Sequence, residues 1–204
     1  RALAMPLNIQ AAIPVCLRPA NHHLDVFHCR GNAESRVIAN MCTCGNTGVY
    51  LQNLTPEVKE RWGPLCYLRG VVDVLGDLRT FDVRIAWDGQ PAGTYKLLNL
   101  FLANGRTTGA GLTVADGAEL DDRRLEVVAV LDGPATEIAS LAADYLLSDF
   151  LHHPLVIHRS ACRLTVEATG SFPVTIDGDV FTDQPIQVEC ADRQIPVVRG
   201  DGDD

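Results

Sequence analysis

Two aspartates flank a glycine in the segment Thr175-Ile176-Asp177-Gly178-Asp179-Val180. A carboxylate on a tight turn between two strands can act as a general base toward a hydroxyl group. A plain Asp-Gly hairpin explains the same residues equally well. Asp177 and Asp179 are therefore candidate catalytic residues on a predicted β-turn.

A second acidic segment, Asp116–Asp122, carries four carboxylates within seven residues. Carboxylate and carbonyl oxygens are the ligands that Mg²⁺ prefers, so a magnesium site is one interpretation. The alternative is a solvated acidic turn that precedes the apolar run beginning at Leu125.

Glycines are frequent in the segment Asn104–Leu112, which contains Gly105, Gly109 and Gly111. They allow backbone N–H groups to approach a phosphate or a neighbouring chain closely. The spacing fits neither a P-loop nor a dinucleotide-binding fingerprint, and the helix that those motifs require does not follow. A glycine-rich hairpin is the alternative to a ligand loop.

The cysteines and histidines give no metal-binding pattern. The chain has 7 cysteines, and one residue separates Cys42 from Cys44 where zinc ribbons use two to four. Most cysteines stand in apolar runs, which predicts buried free thiols and a reducing, cytoplasmic setting. We interpret His22-His23 and His152-His153 as surface pairs.

Short apolar runs bounded by turn residues predict about ten strands. They are Leu7–Leu17, Leu24–Cys29, Arg36–Cys44, Phe81–Trp87, Tyr95–Ala103, Leu125–Leu131, Leu155–Ile157, Arg163–Ala168, Val174–Ile176 and Gln187–Cys190. No regular helical crossovers join them, so the pattern predicts a mainly β fold, a two-layer antiparallel β-sandwich. Two helical segments interrupt it, at about 55–78 and at about 134–151, each with an apolar face.

The chain carries a net charge of −9, which argues against binding to nucleic acid phosphates, since that binding needs clustered Lys and Arg. No apolar run is long enough to cross a bilayer. We expect one domain over residues 1–198 and a disordered acidic tail over residues 199–204.

The order of these segments resembles the C-terminal domain of the diacylglycerol kinase/sphingosine kinase superfamily, especially that of bacterial soluble lipid kinases. The resemblance covers about residues 7–198 and rests on Ala39–Gly48, the helix from Thr55, Ala103–Arg106 with its glycines, the acidic turn and Ile176–Asp179. It implies a mainly β sandwich that works with ATP and Mg²⁺. In the family, a preceding α/β domain binds the ATP phosphates through a Gly-Gly-Asp-Gly-Thr motif, which this sequence lacks.

The resemblance also implies roles for single residues. Asp179 stands where the family usually has Glu, the proposed base on the lipid hydroxyl, and Asp177 is the supporting acid of the same turn. Asp122 matches an acid that binds a structural Mg²⁺ in some bacterial members, beside carbonyls equivalent to those of Glu119 and Arg124.

On the same basis, Asn104, Gly105, Gly109 and Gly111 are the residues expected on the cofactor side. The sequence departs from the family's pattern at two places, one in the acidic turn and one in the glycine-containing loop. Arg123 follows Asp122 where the family has Gly, and Gly109-Ala110-Gly111 replaces a triple glycine.

The resulting hypothesis is the lipid-binding domain of an ATP-dependent kinase that phosphorylates a hydroxyl of diacylglycerol or a related lipid, inactive as an isolated chain. Its partners would be the lipid, the nucleotide-binding domain and, transiently, a membrane surface at the cytoplasmic side. No nucleic acid partner is expected, and the sequence leaves open whether the chain forms a homodimer. The alternative is a non-catalytic lipid- or partner-binding β-sandwich derived from this fold. A carbohydrate-binding sandwich is disfavoured because 2 Trp and 4 Tyr form no aromatic cluster in the sequence.

Overall fold

The computed structural model describes residues 3–47, 78–108, 112–146 and 149–201. The predicted helix at about 55–78 lies outside these ranges except for its last residue, and so do Gly109 and Gly111. The helices are α1 (Ile9–Cys16), α2 (Ala135–Leu146) and a 3₁₀ turn (Phe150–His152). The strands are β1 (His22–Leu24), β2 (Phe27–Arg30), β3 (Ser35–Ile38), β4 (Met41–Gly45), β5 (Phe81–Trp87), β6 (Gly93–Ala103), β7 (Thr107–Thr108), β8 (Leu112–Thr113), β9 (Leu125–Leu131), β10 (Val156–Ala161), β11 (Arg163–Ala168), β12 (Val174–Ile176), β13 (Asp179–Phe181), β14 (Ile186–Cys190) and β15 (Ile195–Val197).

The prediction of a strand over Leu7–Leu17 is wrong, because this segment forms helix α1. Asn8 caps the helix, and its side-chain oxygen accepts hydrogen bonds from the N–H groups of Gln10 at 2.9 Å and Ala11 at 3.4 Å. A short apolar run does not distinguish a strand from a helix by its periodicity. The cap favours the helix because the Asn8 side chain satisfies backbone N–H groups at the start of the helix that have no partner within it.

Two long predicted strands are each divided into two. Leu24–Cys29 breaks at Asp25, between β1 and β2, and Arg36–Cys44 breaks at the turn Ala39–Asn40, between β3 and β4. At the first break, the Asp25 carboxylate accepts a hydrogen bond from the distant backbone of Arg123. At the second break, the Asp177 carboxylate accepts hydrogen bonds from the backbone of the turn itself. These two breaks position the candidate site described below.

Within the described residues, eleven strands form one curled antiparallel sheet, which confirms the predicted mainly β antiparallel fold. The main path runs β13-β12-β4-β6-β5-β11-β14-β2-β3, and β9 joins β6 to β10. Strand β6 pairs with β5 along its first half and with both β4 and β9 along its second half. A bulge at Leu98 separates the two halves.

Two apolar clusters lie on opposite faces of this sheet. The inner cluster fills the curl and includes Leu100 and Leu102 of β6. The outer cluster includes Leu98 and Phe101, and helix α2 covers it through Ile138 and Leu141. Because β4, β6 and β9 are buried on both faces, their sequences are continuous apolar runs rather than alternating ones.

The second predicted helix, at about 134–151, is present but shorter. Helix α2 covers Ala135–Leu146 and the 3₁₀ turn covers Phe150–His152. The tail also differs at its start from the expected disorder, since Arg199 N–H donates to Asn21 at 2.7 Å and Asp201 forms an ion pair with Arg18 at 2.6 Å. Among the described helices, none is long and apolar enough to cross a membrane.

Candidate functional site

The hairpin between β12 and β13 carries the two candidate catalytic acids. Its turn residues, Asp177 and Gly178, both have positive φ angles, of 49° and 99°. Aspartate tolerates this left-handed conformation better than most residues and glycine adopts it without strain, which makes Asp-Gly a preferred two-residue hairpin turn. The predicted tight turn is therefore present.

The carboxylate of Asp177 holds the turn between β3 and β4. Oδ2 accepts the N–H of Ala39 at 2.8 Å, and Oδ1 accepts those of Asn40 at 3.0 Å and Met41 at 2.8 Å. In return, the Asp177 N–H donates to the Met41 carbonyl at 2.9 Å. Hydrogen bonds to an ionised acceptor are about twice as strong as neutral ones, so Asp177 acts as a clamp between two turns.

Asp179 has different surroundings, although it is only two residues away. It is the first residue of β13, lies opposite Ile176, and is exposed. Among the residues that the structure describes, none donates a hydrogen bond to its carboxylate. A carboxylate in this situation keeps its lone pairs available for a substrate proton.

The glycine-containing loop adjoins the clamped turn. The Asn40 carbonyl accepts the N–H groups of Asn104 and Gly105, each at 2.9 Å. The Asn104 side-chain amide donates to the carbonyls of Asp25 at 2.8 Å and Ala39 at 2.7 Å. These donors are thus engaged inside the fold, and the assignment of Asn104 and Gly105 to a cofactor stays a prediction.

Asn104 is fully buried, and its Oδ1 has no hydrogen-bond partner among the described residues. A buried unsatisfied acceptor is unusual in folded proteins. The sequence assigned Asn104 to the cofactor side and Asp177 to the catalytic turn, and the structure links the two residues through Asn40.

Asp25 connects this loop to the acidic turn, and sequence reasoning did not identify it. It is buried, with 1% of its surface exposed. Its Oδ2 accepts the N–H of Arg123 at 2.5 Å, and its Oδ1 accepts the Gln194 side-chain amide at 3.0 Å. The signal in the sequence is a single acid inside an apolar run, which is typical of a buried carboxylate with dedicated donors.

The acidic turn concentrates negative charge around Asp122. Burial raises the pKa of this carboxyl, the Arg124 N–H that it accepts at 2.9 Å lowers it, and the charges of Asp25, Glu119 and Glu126 raise it further. The net direction is upward. A cation at this place would remove the repulsion between the neighbouring carboxylates.

The donor set of the turn fits Mg²⁺ rather than a transition metal. It offers the Asp122 carboxylate and main-chain carbonyls, which are hard oxygen ligands. No group of three metal-binding side chains occurs within the described residues, so a bound Mg²⁺ would keep several waters. The Arg124 guanidinium donates to Ser160 Oγ at 2.7 Å and to the Ser160 carbonyl at 2.9 Å. Because a guanidinium is a cation without an acceptor, the main-chain carbonyl is the only ligand that Arg124 can offer.

A surface concavity of about 630 Å³ lies elsewhere, between the end of β11 and the connection from β13 to β14. Its lining includes Glu167, Ser171 and Asp183, and none of the predicted site residues. The hydrogen-bonded chain from Asp177 to Asp25 is therefore the better candidate, since it joins chemically suited groups from four separate segments.

Comparisons with known proteins agree on one family. The profile of the YegS C-terminal NAD kinase beta sandwich-like domain matches residues 46–199. Curated relatives named diacylglycerol kinase include one from Staphylococcus carnosus, 25% identical over 88% of this chain, and one from Staphylococcus haemolyticus, 23% identical over 97%. The chain spans 57% and 58% of their respective lengths.

Solved structures show the same fold. A structure from Bacillus anthracis str. Sterne superposes with a TM-score of 0.71 at 22% identity, covering 94% of this chain and 61% of the other. A second one, described as a diacylglycerol kinase from the same organism, has a TM-score of 0.62 at 21% identity, covering 93% and 58%.

Proposed function

The chain belongs to the family of YegS C-terminal NAD kinase beta sandwich-like domains, and we propose that it is the lipid-binding domain of an ATP-dependent lipid kinase. Diacylglycerol or a related lipid is the proposed substrate, as the names of the staphylococcal relatives indicate. The chain spans little more than half of those relatives. The nucleotide-binding domain of the complete protein is therefore its proposed partner, and ATP the co-substrate that supplies the phosphoryl group.

The observation that carries this proposal is an exposed carboxylate on a clamped turn. Asp177 is engaged by three backbone donors, so the turn keeps its shape while Asp179 stays accessible. A general base must come within about 2.6–3.2 Å of the hydroxyl, directly or through one water. A fixed backbone with an available carboxylate supports this role for Asp179.

In this mechanism, Asp179 accepts the proton of the lipid hydroxyl as the oxygen is phosphorylated, and Asp177 positions it. Phosphoryl transfer depends chiefly on positioning and on charge stabilisation. Asp179 is one methylene shorter than the glutamate of the family it resembles, so the hydroxyl must come closer or be reached through water. Asp122 and the carbonyls of Glu119 and Arg124 would hold Mg²⁺, whose charge would offset that of the acidic turn.

Access to the lipid requires transient contact with a membrane surface. A chain with a net charge of −9 is not attracted to anionic lipid by its overall charge. We therefore propose a cytoplasmic protein that meets the membrane through its lipid substrate or its partner domain.

The test is phosphate transfer from labelled ATP to diacylglycerol in mixed micelles. The 204-residue chain alone is expected to be inactive, because no phosphate-binding loop followed by a helix is present in its sequence. A fusion to the nucleotide-binding domain of a staphylococcal relative is expected to be active. In that fusion, Asp179→Asn should lower kcat by about 10²–10⁴-fold with little change in KM for the lipid, because a general base acts in the transition state.

Asp179→Glu, which restores the family's residue, should keep or raise kcat. Full kcat in Asp179→Asn would show that the base is assigned wrongly. A fusion that binds diacylglycerol vesicles without transferring phosphate would favour the non-catalytic binding module.

A further inference from the structure

Helix α1 carries the largest group of exposed large apolar side chains in the described part of the chain. Ile9, Ile13 and Leu17 are exposed over 75%, 54% and 80% of their surface, and Leu7, just before the helix, over 89%. The first three are spaced by four residues, and Leu17 keeps the helical conformation as the C-cap, so they lie along one side of the helix. We call these four residues the apolar ridge.

The helix holds the apolar ridge away from the body of the domain. Val15 is the buried residue of α1. It follows Ile13 by two residues, so its side chain lies on the opposite side of the helix. The Asn8 side chain caps the first turn. The helix is therefore formed and anchored without a partner, and binding would not have to order it.

The apolar ridge is also uncharged, in a chain whose net charge is −9. No charged residue stands between Arg1 and Arg18, and Arg18 forms an ion pair with Asp201 at 2.6 Å. Moving a charge into hydrocarbon is costly, so a surface without charges is the part of this chain that lipid accepts. The rim of a protein–protein interface is usually polar, and the sequence around the ridge lacks the charges that would form one.

The shape of the apolar ridge favours lipid over a protein partner. Side chains exposed over 75–89% of their surface, as at Leu7, Ile9 and Leu17, stand out from the protein instead of lining a flat patch or a groove. A fluid lipid interface closes around such side chains, whereas a protein partner would need a matching groove. Helices that lie in a membrane interface bury their apolar face about 5–10 Å deep, which is the depth of one layer of side chains.

We propose that α1 is a membrane-docking helix that lies in the interface of a lipid bilayer and inserts the apolar ridge between the head groups. This inference rests on the proposed function, because the lipid substrate is what brings the chain to a membrane. Diacylglycerol carries a hydroxyl where a phospholipid carries a phosphate head group, so a membrane that contains it exposes more hydrocarbon, and interfacial helices respond to such differences in composition. Eight residues separate Leu17 from Asp25, which limits their distance to about 29 Å, so docking keeps the candidate site near the membrane.

The test is flotation of the complete 204-residue chain with phosphatidylcholine vesicles that contain or lack diacylglycerol. The chain should float with the vesicles, and more of it with those that contain diacylglycerol. Replacing two ridge residues together, Ile9→Gln and Ile13→Gln, should weaken binding by about 10–100-fold, because each buried isoleucine contributes up to about tenfold. Val37→Gln, at an exposed apolar residue of β3, is the matched control and should bind like the unsubstituted chain.

A second measurement reports insertion directly. The fluorescence of Ile13→Trp should shift to shorter wavelength on vesicles that contain diacylglycerol, whereas that of Val37→Trp should not. Binding should stay the same between about 0.1 M and about 0.5 M NaCl, and phosphatidylglycerol should not increase it, because the apolar ridge has no charge for salt to screen.

The proposal is overturned if the chain does not float, or if the double variant, folded by circular dichroism, floats as well as the unsubstituted chain. A dimer in analytical ultracentrifugation that the double variant loses would assign the apolar ridge to a second copy and also overturn it. Failure of the proposed function gives a different result. A fusion to the nucleotide-binding domain that floats without transferring phosphate leaves the docking helix in place, whereas one that phosphorylates a soluble short-chain diacylglycerol without floating overturns the docking helix alone.

Discussion

Asp177 and Asp179 show how two identical side chains in one turn acquire different roles. The carboxylate of Asp177 accepts three backbone hydrogen bonds and ties together two turns. Asp179 is exposed at the start of its strand. A substitution at the first should therefore change stability, and a substitution at the second should change chemistry.

Asp177→Asn is expected to lower the free energy of unfolding by about 1–3 kcal/mol. Asparagine tolerates the left-handed backbone, so the turn conformation itself is kept. Stability is lost because the charged acceptor is removed and at least one of the three backbone N–H donors is left without a partner. Asp179→Asn is the matched control and should stay within about 0.5 kcal/mol of the unsubstituted chain. Urea unfolding followed by tryptophan fluorescence measures both, and equal stabilities would refute the clamp.

Magnesium is expected to raise the unfolding temperature of the chain through Asp122. Millimolar Mg²⁺ should stabilise the native state because it binds the folded turn and not the unfolded chain. Asp122→Ala should lose this shift, whereas Asp121→Ala, which removes an acid not assigned to the metal, should keep most of it. Differential scanning fluorimetry with and without Mg²⁺ measures the shift in unfolding temperature. Identical shifts in the Asp122→Ala and unsubstituted proteins would show that Asp122 does not bind Mg²⁺.

At the scale of elements, Asp183 joins the turn between β2 and β3 to the connection between β13 and β14. Its Oδ2 accepts the N–H groups of Ala33 at 2.5 Å and Glu34 at 2.7 Å. These hydrogen bonds lower the pKa of Asp183 from its ordinary 3.8. The native state thus prefers the ionised form more than the unfolded chain does.

The sign of this shift predicts the pH dependence. A carboxyl whose pKa is lower in the folded state stabilises the protein fully above its ordinary pKa of 3.8, and this contribution is lost as the pH falls through the pKa of the folded state. Asp183→Asn should therefore be less stable than the unsubstituted chain at pH 7, and the difference should shrink toward pH 3. A difference that grows on acidification would contradict the hydrogen-bond assignment.

The sequence predicts an element well where a local preference sets its structure. It predicts an element poorly where a hydrogen bond to a residue far along the chain sets its bounds. The Asp-Gly turn at Asp177 follows from local backbone preference, and the apolar face of α2 from its periodicity. The strand breaks at Asp25 and Asn40 coincide with hydrogen bonds to residues far along the chain. The sequence predicted a strand in place of helix α1 because its apolar run is equally compatible with a strand and a helix. The N-cap at Asn8 is the feature that favours the helix.

At the scale of the molecule, the pairing of strands could not be read from the sequence. Strand β6 joins β4, β5 and β9, and β14 lies between β2 and β11. Antiparallel apolar strands offer many registers of similar hydrophobicity, and only the assembled core selects one. The sequence could therefore indicate a sandwich-like fold without giving its strand order.

Hydrogen–deuterium exchange should separate the centre of this sheet from its edge. Amides of β6 should exchange slowest, because β6 has partners on both sides and apolar clusters on both faces. Amides of β13, whose pairing within the described residues is with β12 alone, should exchange much faster. Peptide-level mass spectrometry measures both, and equal protection of the two strands would contradict the layered core.

The pairing of β2 with β14 also sets the order in which the protein can mature on the ribosome. β2 is synthesised well before its partner strand β14, which ends only at Cys190. Until that segment emerges, the β2–β3 hairpin presents an unpaired strand edge, and such edges favour association with other nascent chains. The sheet can close only when β14 has left the exit tunnel, so closure of the sheet follows the synthesis of β14 rather than accompanying that of β2.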